Sequence, residues 1–329
     1  MSDVLHSSRH LSRPAGSFVL LLILLAAAIG AIDWVWAIKG NFAIAGHAYA
    51  ALAAMSVLLW GAGYVYATWR PEPRLAAMLF GTGFLIAFTA AASVLNTMLL
   101  TVAGPRIDSV LAQADIAMGF DWPAMMRDLA NHPRVLLVLQ LAYGVLLPQI
   151  ALAVVVLGTW GRIASLYRFI LAVAIGALIC IFIWSLFPAF GAMSVYHFDH
   201  ALAARLHVPV DEAYGRALIK MLQEGPGPIT PDSIKGLIGF PSFHAVLAML
   251  LIWYLRDVRW VRWPALVLNV TVIFATPIEG GHHWVDVFAA VPVTVLAIAL
   301  SRHAFARAAQ LDFARTSARS TENIAAPAA

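Results

Sequence analysis

Residues 239–255 read GFPSFHAVLAMLLIWYL, and the next seven read RDVRWVR. From Ala245 to Leu255 there is no charged side chain. Lipid requires every backbone N–H and C=O to be satisfied within the segment, so a run of this kind predicts a membrane-crossing helix. It opens with Pro241, Ser242 and His244 and closes in arginines. Basic residues collect at cytoplasmic helix ends. The run therefore enters from outside, and its Ser and His stand at the outer mouth.

The rest of the chain extends this reading. Of 329 residues, 62% are hydrophobic and 12% are charged, about half the charge of an ordinary soluble domain. A soluble fold could not hide so much apolar surface. The predicted fold is an all-α polytopic membrane bundle of about eight transmembrane helices, over 16–37, 44–67, 76–101, 135–158, 169–189, 239–255, 263–278 and 284–301. The first run follows Arg9 and Arg13 but is long and ends in AIDWVWAIKG without a small-residue cleavage site. It reads as a retained helix rather than a leader.

With the N-terminus inside, TWRPEPR (68–74), WGRIASLYR (160–168) and YLRDVRWVR (254–262) all fall on the inner side. Both chain ends are then cytoplasmic. Two outer segments are long. MGFDWPAMMRDLANHP (118–133) mixes aromatic and Met residues with charges and predicts a helix lying at the interface. Residues 190–238 predict helical pieces and then the turn-rich EGPGPITPDS, either a lid or a plain connector.

The net charge of +4 is dispersed, and no basic block suggests nucleic acid. Cys180, the single cysteine, sits in an apolar run and cannot form an internal disulfide. There is no Gly-rich phosphate loop and no Cys/His zinc spacing. No cofactor is expected, and nothing bears on oligomeric state.

A second polar cluster, EGGHHWVD (279–286), opens the eighth run on the same outer side. His282 and Asp286 are four apart and share a helix face. The carboxylate can take the proton of one ring nitrogen and leave the other basic, which prepares an imidazole as nucleophile or base. His283 points about 100° away. Free N–H groups at a helix mouth favour an anion. Ser242 can add a hydrogen bond there, and His244 can serve as general acid. Two histidines would then flank one phosphoryl group, one attacking and one protonating the leaving oxygen. Two other readings stay open: a structural His282–Asp286 pair, and a metal site built from His244, His282, His283 and Asp286, with Glu279 in reach. The cluster lacks the spacing of common metal sites, so no metal is expected.

At these residues the chain resembles the type 2 phosphatidic acid phosphatase superfamily. Pro241, Ser242, Phe243 and His244 match its Pro-Ser-x-His motif, and His282 and Asp286 match its His-x-x-x-Asp ending. The resemblance implies His282 as nucleophile, Asp286 as its partner, His244 as acid/base and Ser242 as a phosphate ligand. It also implies a six-helix catalytic core. The division is then residues 1–75 as an N-terminal addition with two helices, 76–303 as the catalytic core and 304–329 as a disordered cytoplasmic tail. Three features depart from the usual pattern. Phe243 replaces a Gly, Ala275 and Thr276 stand where Ser-Arg is usual, and the early Lys and Arg motif is absent. PSFHA and GGHHWVDVF are similar to the branch that includes fungal inositol phosphorylceramide synthase and, more distantly, sphingomyelin synthase.

Fewer basic residues suit a phosphodiester with about one negative charge better than a monoester with up to about two. That favours transfer to a hydroxyl acceptor over hydrolysis. Arg205, Arg216, Lys220 and Lys235 in the long outer loop, with His283, are the candidate substrate-binding residues, and Arg127 and Arg134 are weaker ones. The expected enzyme is a metal-independent lipid phosphatase or phosphotransferase of a bacterial inner membrane, with a periplasmic site, a phospholipid or lipid phosphate donor and an alcohol or lipid-alcohol acceptor. A phosphatidic acid or polyprenyl phosphate phosphatase using water is the alternative. A transporter would place its polar groups near mid-bilayer, whereas here they gather at one face.

Overall fold

The protein is seen here in a computed structural model that describes residues 16–198, 200–206, 208–210, 212–231 and 236–325. Among the described residues three long helices come first: α1 (Gly16–Gly40), α2 (Gly46–Thr68) and α3 (Pro73–Leu99). Pro73 opens α3, a position where its missing N–H costs nothing. Two short helices follow, α4 (Asp108–Ala117) and α5 (Trp122–Leu129). Next come α6 (Pro133–Gly144) and α7 (Leu146–Thr159), bent by 49° at their junction. The central helix is α8 (Ile163–Leu186). The outer excursion holds α9 (His200–Leu206) and α10 (Glu212–Glu224), and the chain closes with α11 (Phe243–Leu255), α12 (Arg262–Glu279) and α13 (Trp284–Ala325).

Among the described residues, five helices are long and apolar enough to cross a membrane, or six if the bent α6–α7 pair is one span. The predicted eight crossings are therefore met only in part. The run beginning at Gly239 turns helical only at Phe243, and α11 has 13 residues, a rise of about 20 Å against a hydrocarbon core of about 30 Å. α12 has 18 residues but is less apolar. α13 continues unbroken to Ala325, through the segment read as a tail.

The packing centres on α8, where 67% of the spanning window is buried, against 11% for α2 at the periphery. Small residues let the helices close up: a Cβ at Gly83 on α3 would lie 2.7 Å from the Trp60 indole of α2. A buried amide pair, Asn269 Nδ2 donating to Gln149 Oε1 at 2.9 Å, ties α12 to α7. The ends of the bundle differ in chemistry. At one end the arginine-rich turns bond to each other, with Arg74 donating to Thr159 O and Arg162 to Asp257 O, both at 3.2 Å. There the first turn of α1 also meets α13: Ser17 N donates to Asp312 Oδ1 at 3.2 Å, and the Phe18 and Phe305 rings meet edge to face at 5.1 Å. At the other end the long excursion reaches the α1–α2 turn, with Ile229 N donating to Ala43 O at 2.8 Å and Ala45 N to Ile229 O at 3.0 Å.

The segment expected to lie at the interface, 118–133, holds the helix α5. Asp121 caps it by accepting from Ala124 N at 2.8 Å, and Trp122 Nε1 donates to Pro277 O at 2.9 Å, docking it on α12.

Candidate active site

The two sequence motifs meet at the starts of α11 and α13. Ser242 is the N-cap of α11, with extended backbone and its Oγ accepting from Ala245 N at 3.4 Å. Ser and Thr oxygens replace the missing intrahelical partners at this position. The Ser242 N–H donates to the Asp286 carbonyl at 3.1 Å, which clamps one helix start to the other.

His282 lies between them, 4% exposed. Its Nδ1 is 2.9 Å from Gly239 O and 3.3 Å from Asp286 Oδ2. A carbonyl and a carboxylate both accept, so Nδ1 carries the ring proton and Nε2 keeps its lone pair. Nε2 lies 3.3 Å from Ser242 Oγ. Burial lowers the His282 pKa to about 4, opposed by the bond to Gly239 and assisted by the neighbouring His283. The ring is thus held neutral.

His244, the second residue of α11, faces His282 at 5.9 Å between ring centroids, with the planes 66° apart. Its Nε2 is 3.1 Å from the Tyr143 hydroxyl, and the two rings stack at 4.8 Å. Tyr143 arrives from the end of α6, beside the bend. A Cβ at Gly280 would lie 2.8 Å from the Tyr143 oxygen, so the missing side chain there admits the hydroxyl.

Both histidines open on a cavity of about 230 Å³, lined also by Tyr143, Phe190, Gly191, Tyr214 and Gly236–Gly239. No Lys or Arg is among its described lining residues. Arg205 is bonded instead to Ala130 O and Asn131 Oδ1, both at 2.8 Å. Lys220 is exposed and pairs with Glu224 at 3.7 Å. Arg216 is exposed on α10, as are Arg127 and Arg134 nearer the start of α6. Lys235 lies outside the described residues. His283 is fully buried, its Nδ1 3.4 Å from Asp115 Oδ2, and it does not line the cavity. Among the described residues no group of three or more His, Cys, Asp or Glu is placed to hold a metal ion.

Four supports of the site, Asp115, Asp108, Gly191 and Tyr143, belong to neither motif. Asp115 of α4 accepts from Trp284 N and Val285 N, both at 2.9 Å, and so caps α13 from another helix. Asp108 Oδ1 accepts from Phe190 N at 2.7 Å and Gly191 N at 2.9 Å, while its Oδ2 pairs with Arg106 at 2.7 Å. Gly191 has φ +84°, and a Cβ there would strike the Gly281 carbonyl, the acceptor of Ala192 N at 2.6 Å. The one available signal was Asp108 and Asp115 seven apart, two turns along one face of a short helix. Tyr143 had none.

A family model, that of the PAP2 superfamily, matches residues 109–300, more than half of the chain. No curated protein and no solved structure matches.

Proposed function

Because the chain belongs to the PAP2 superfamily, a family of lipid-phosphate phosphatases and phosphotransferases, we propose that it moves a phosphoryl-containing head group from a lipid phosphoester to a hydroxyl acceptor. His282 is the nucleophile. Its Nε2 forms a bond to phosphorus as the phosphorus–oxygen bond to the leaving group breaks, and His244 gives that oxygen its proton. An acceptor hydroxyl then loses its proton to His244 and attacks, breaking the phosphorus–nitrogen bond and restoring both histidines. Ser242 and the N–H groups at the start of α11 hold the phosphate oxygens, and Asp286 orients His282. The observation that carries this reading is the pair of histidines, His244 at the start of α11 and His282 in the loop just before α13, lining one cavity, with the unprotonated Nε2 of His282 beside the capping Ser242.

Transfer of a phosphodiester head group, as in the inositol phosphorylceramide synthase branch, is supported by the absence of Lys and Arg from the described cavity lining. A singly charged phosphate needs less positive charge than a doubly charged one. A lipid alcohol or inositol is the proposed acceptor, and Lys235 and Arg216 are proposed to bind the head group. We place the two short helices α11 and α12 as further crossings, for eight in all, with both chain ends cytoplasmic and the cavity at the periplasmic face of a bacterial inner membrane. Residues 1–75 are then an addition to a core over 76–303.

The test is turnover of labelled phosphatidylinositol, phosphatidic acid and a polyprenyl diphosphate by purified protein with divalent metals chelated, wild type against His282→Ala. A new lipid that depends on both His282 and an added alcohol supports transfer. Free phosphate that depends on His282 alone makes water the acceptor. Equal turnover by wild type and His282→Ala removes His282 from the chemistry.

A further inference from the structure

A second cavity lies away from the histidines, which do not line it. It lies between α11 and α13, about 570 Å³ in volume, at the end of the bundle that carries the arginine-rich turns. Along α11 its wall begins at Met249, about 10 Å of helix rise from Ser242, and its mouth at Arg256 is about 20 Å away. Its body is apolar, walled by Met249, Ile252 and Trp253 on one side and Val291, Val295 and Ile298 on the other. The one hydroxyl in the wall, Thr294, donates to Ala290 O at 2.8 Å and offers the groove little polarity.

The mouth is different. Arg256 and Arg302 stand at it, and Arg168 lies within electrostatic range of both. Asp257 is the acid nearby, 58% exposed and 3.9 Å from Arg256 Nε. Arg256 stacks on Trp253 at 3.6 Å, fixing its guanidinium at the rim. Arg302 makes no hydrogen bond or ion pair with another described residue. An apolar channel ending in guanidinium groups, with only one nearby carboxylate to offset them, complements an acyl chain under an anionic head group.

We propose that this groove binds one anionic phospholipid from the leaflet at that end, its phosphate held by Arg256 and Arg302 and one acyl chain laid along α11 and α13. These are the helices whose opposite ends carry Ser242, His244, His282 and Asp286, so the bound lipid braces the two motif-bearing helices against each other. The site is independent of the proposed chemistry.

The test is native mass spectrometry of the full chain in mild detergent, equilibrated with equal phosphatidylglycerol and phosphatidylcholine of matched chains. The expected result is one phosphatidylglycerol retained in preference to phosphatidylcholine. The preference should weaken by about fivefold for each arginine removed in Arg256→Ala and Arg302→Ala, and persist largely in the double Lys variant. Val295→Trp, which fills the groove and leaves the charge alone, should also displace the lipid. Equal retention of the two lipids by wild type overturns the proposal, and so does undiminished preference in Val295→Trp or in the two Ala variants. Because the readout is bound mass, it stands or falls apart from any enzymatic result.

Discussion

The Nδ1 of His282 points at the main-chain oxygen of Gly239, 2.9 Å away, and only secondarily at Asp286. The carbonyl cannot change its charge or swing away as a side chain can. The tautomer that leaves Nε2 free is therefore set by the backbone before Asp286 contributes. Replacing Asp286 by Asn should leave the carbonyl contact in place and lower kcat by about 10²-fold with little change in KM, less than the loss in His282→Ala. Steady-state kinetics of the two variants side by side tests this; equal losses would give Asp286 the larger share.

Burial keeps His282 neutral, with a pKa of about 4. The nucleophile must be unprotonated, so activity should persist as pH falls through the ordinary histidine value of about 6.5 and fail only near 4. A kcat/KM profile with its acid limb near 6.5 would contradict the burial seen here. The same shift acts on stability. Between those two values the unfolded chain binds the proton and the folded chain does not, so folding weakens as pH drops across that window.

Tyr143 should matter for the leaving group and not for binding. Its hydroxyl meets His244 Nε2 at 3.1 Å, and removing it frees the ring that delivers the proton. Tyr143→Phe should cost about tenfold in kcat on a lipid alkoxide leaving group. It should cost little on a nitrophenyl ester, whose departure needs no proton. A uniform loss on both substrates would assign Tyr143 to packing alone.

Asp108 is 2% exposed and accepts two backbone N–H groups of the loop that carries Gly191. Asp108→Ala leaves both donors unpaired and should destabilise the fold by about 2–4 kcal/mol. Thermal unfolding in detergent checks this. Gly191→Ala should unfold early as well, because its φ of +84° and the Gly281 carbonyl leave no place for a methyl group. Wild-type melting of either variant would refute the assigned role of that loop.

Much of this architecture was legible in the sequence, because hydropathy and motif spacing are local. The long apolar helices, the position of α5 and the union of Ser242, His244, His282 and Asp286 at one end follow from patterns that each segment carries by itself. The supports were not legible. Asp115 caps a helix 169 residues away in the chain, and nothing near it distinguishes that role from a solvated face. Arg205 looked like a phosphate ligand from charge alone, yet its guanidinium is occupied by the Ala130 carbonyl and Asn131. Doubling of His282 and His283 suggested two polar ligands, but adjacent residues point to different sides, and only one reaches the cavity.

The bond between Ser17 and Asp312 joins the start of the first helix to the far part of the last. Fluorophores placed near these two residues would sit within energy-transfer distance and in one compartment. A single pair of labels would thus report on assembly of the bundle, because transfer requires α1 to have found α13.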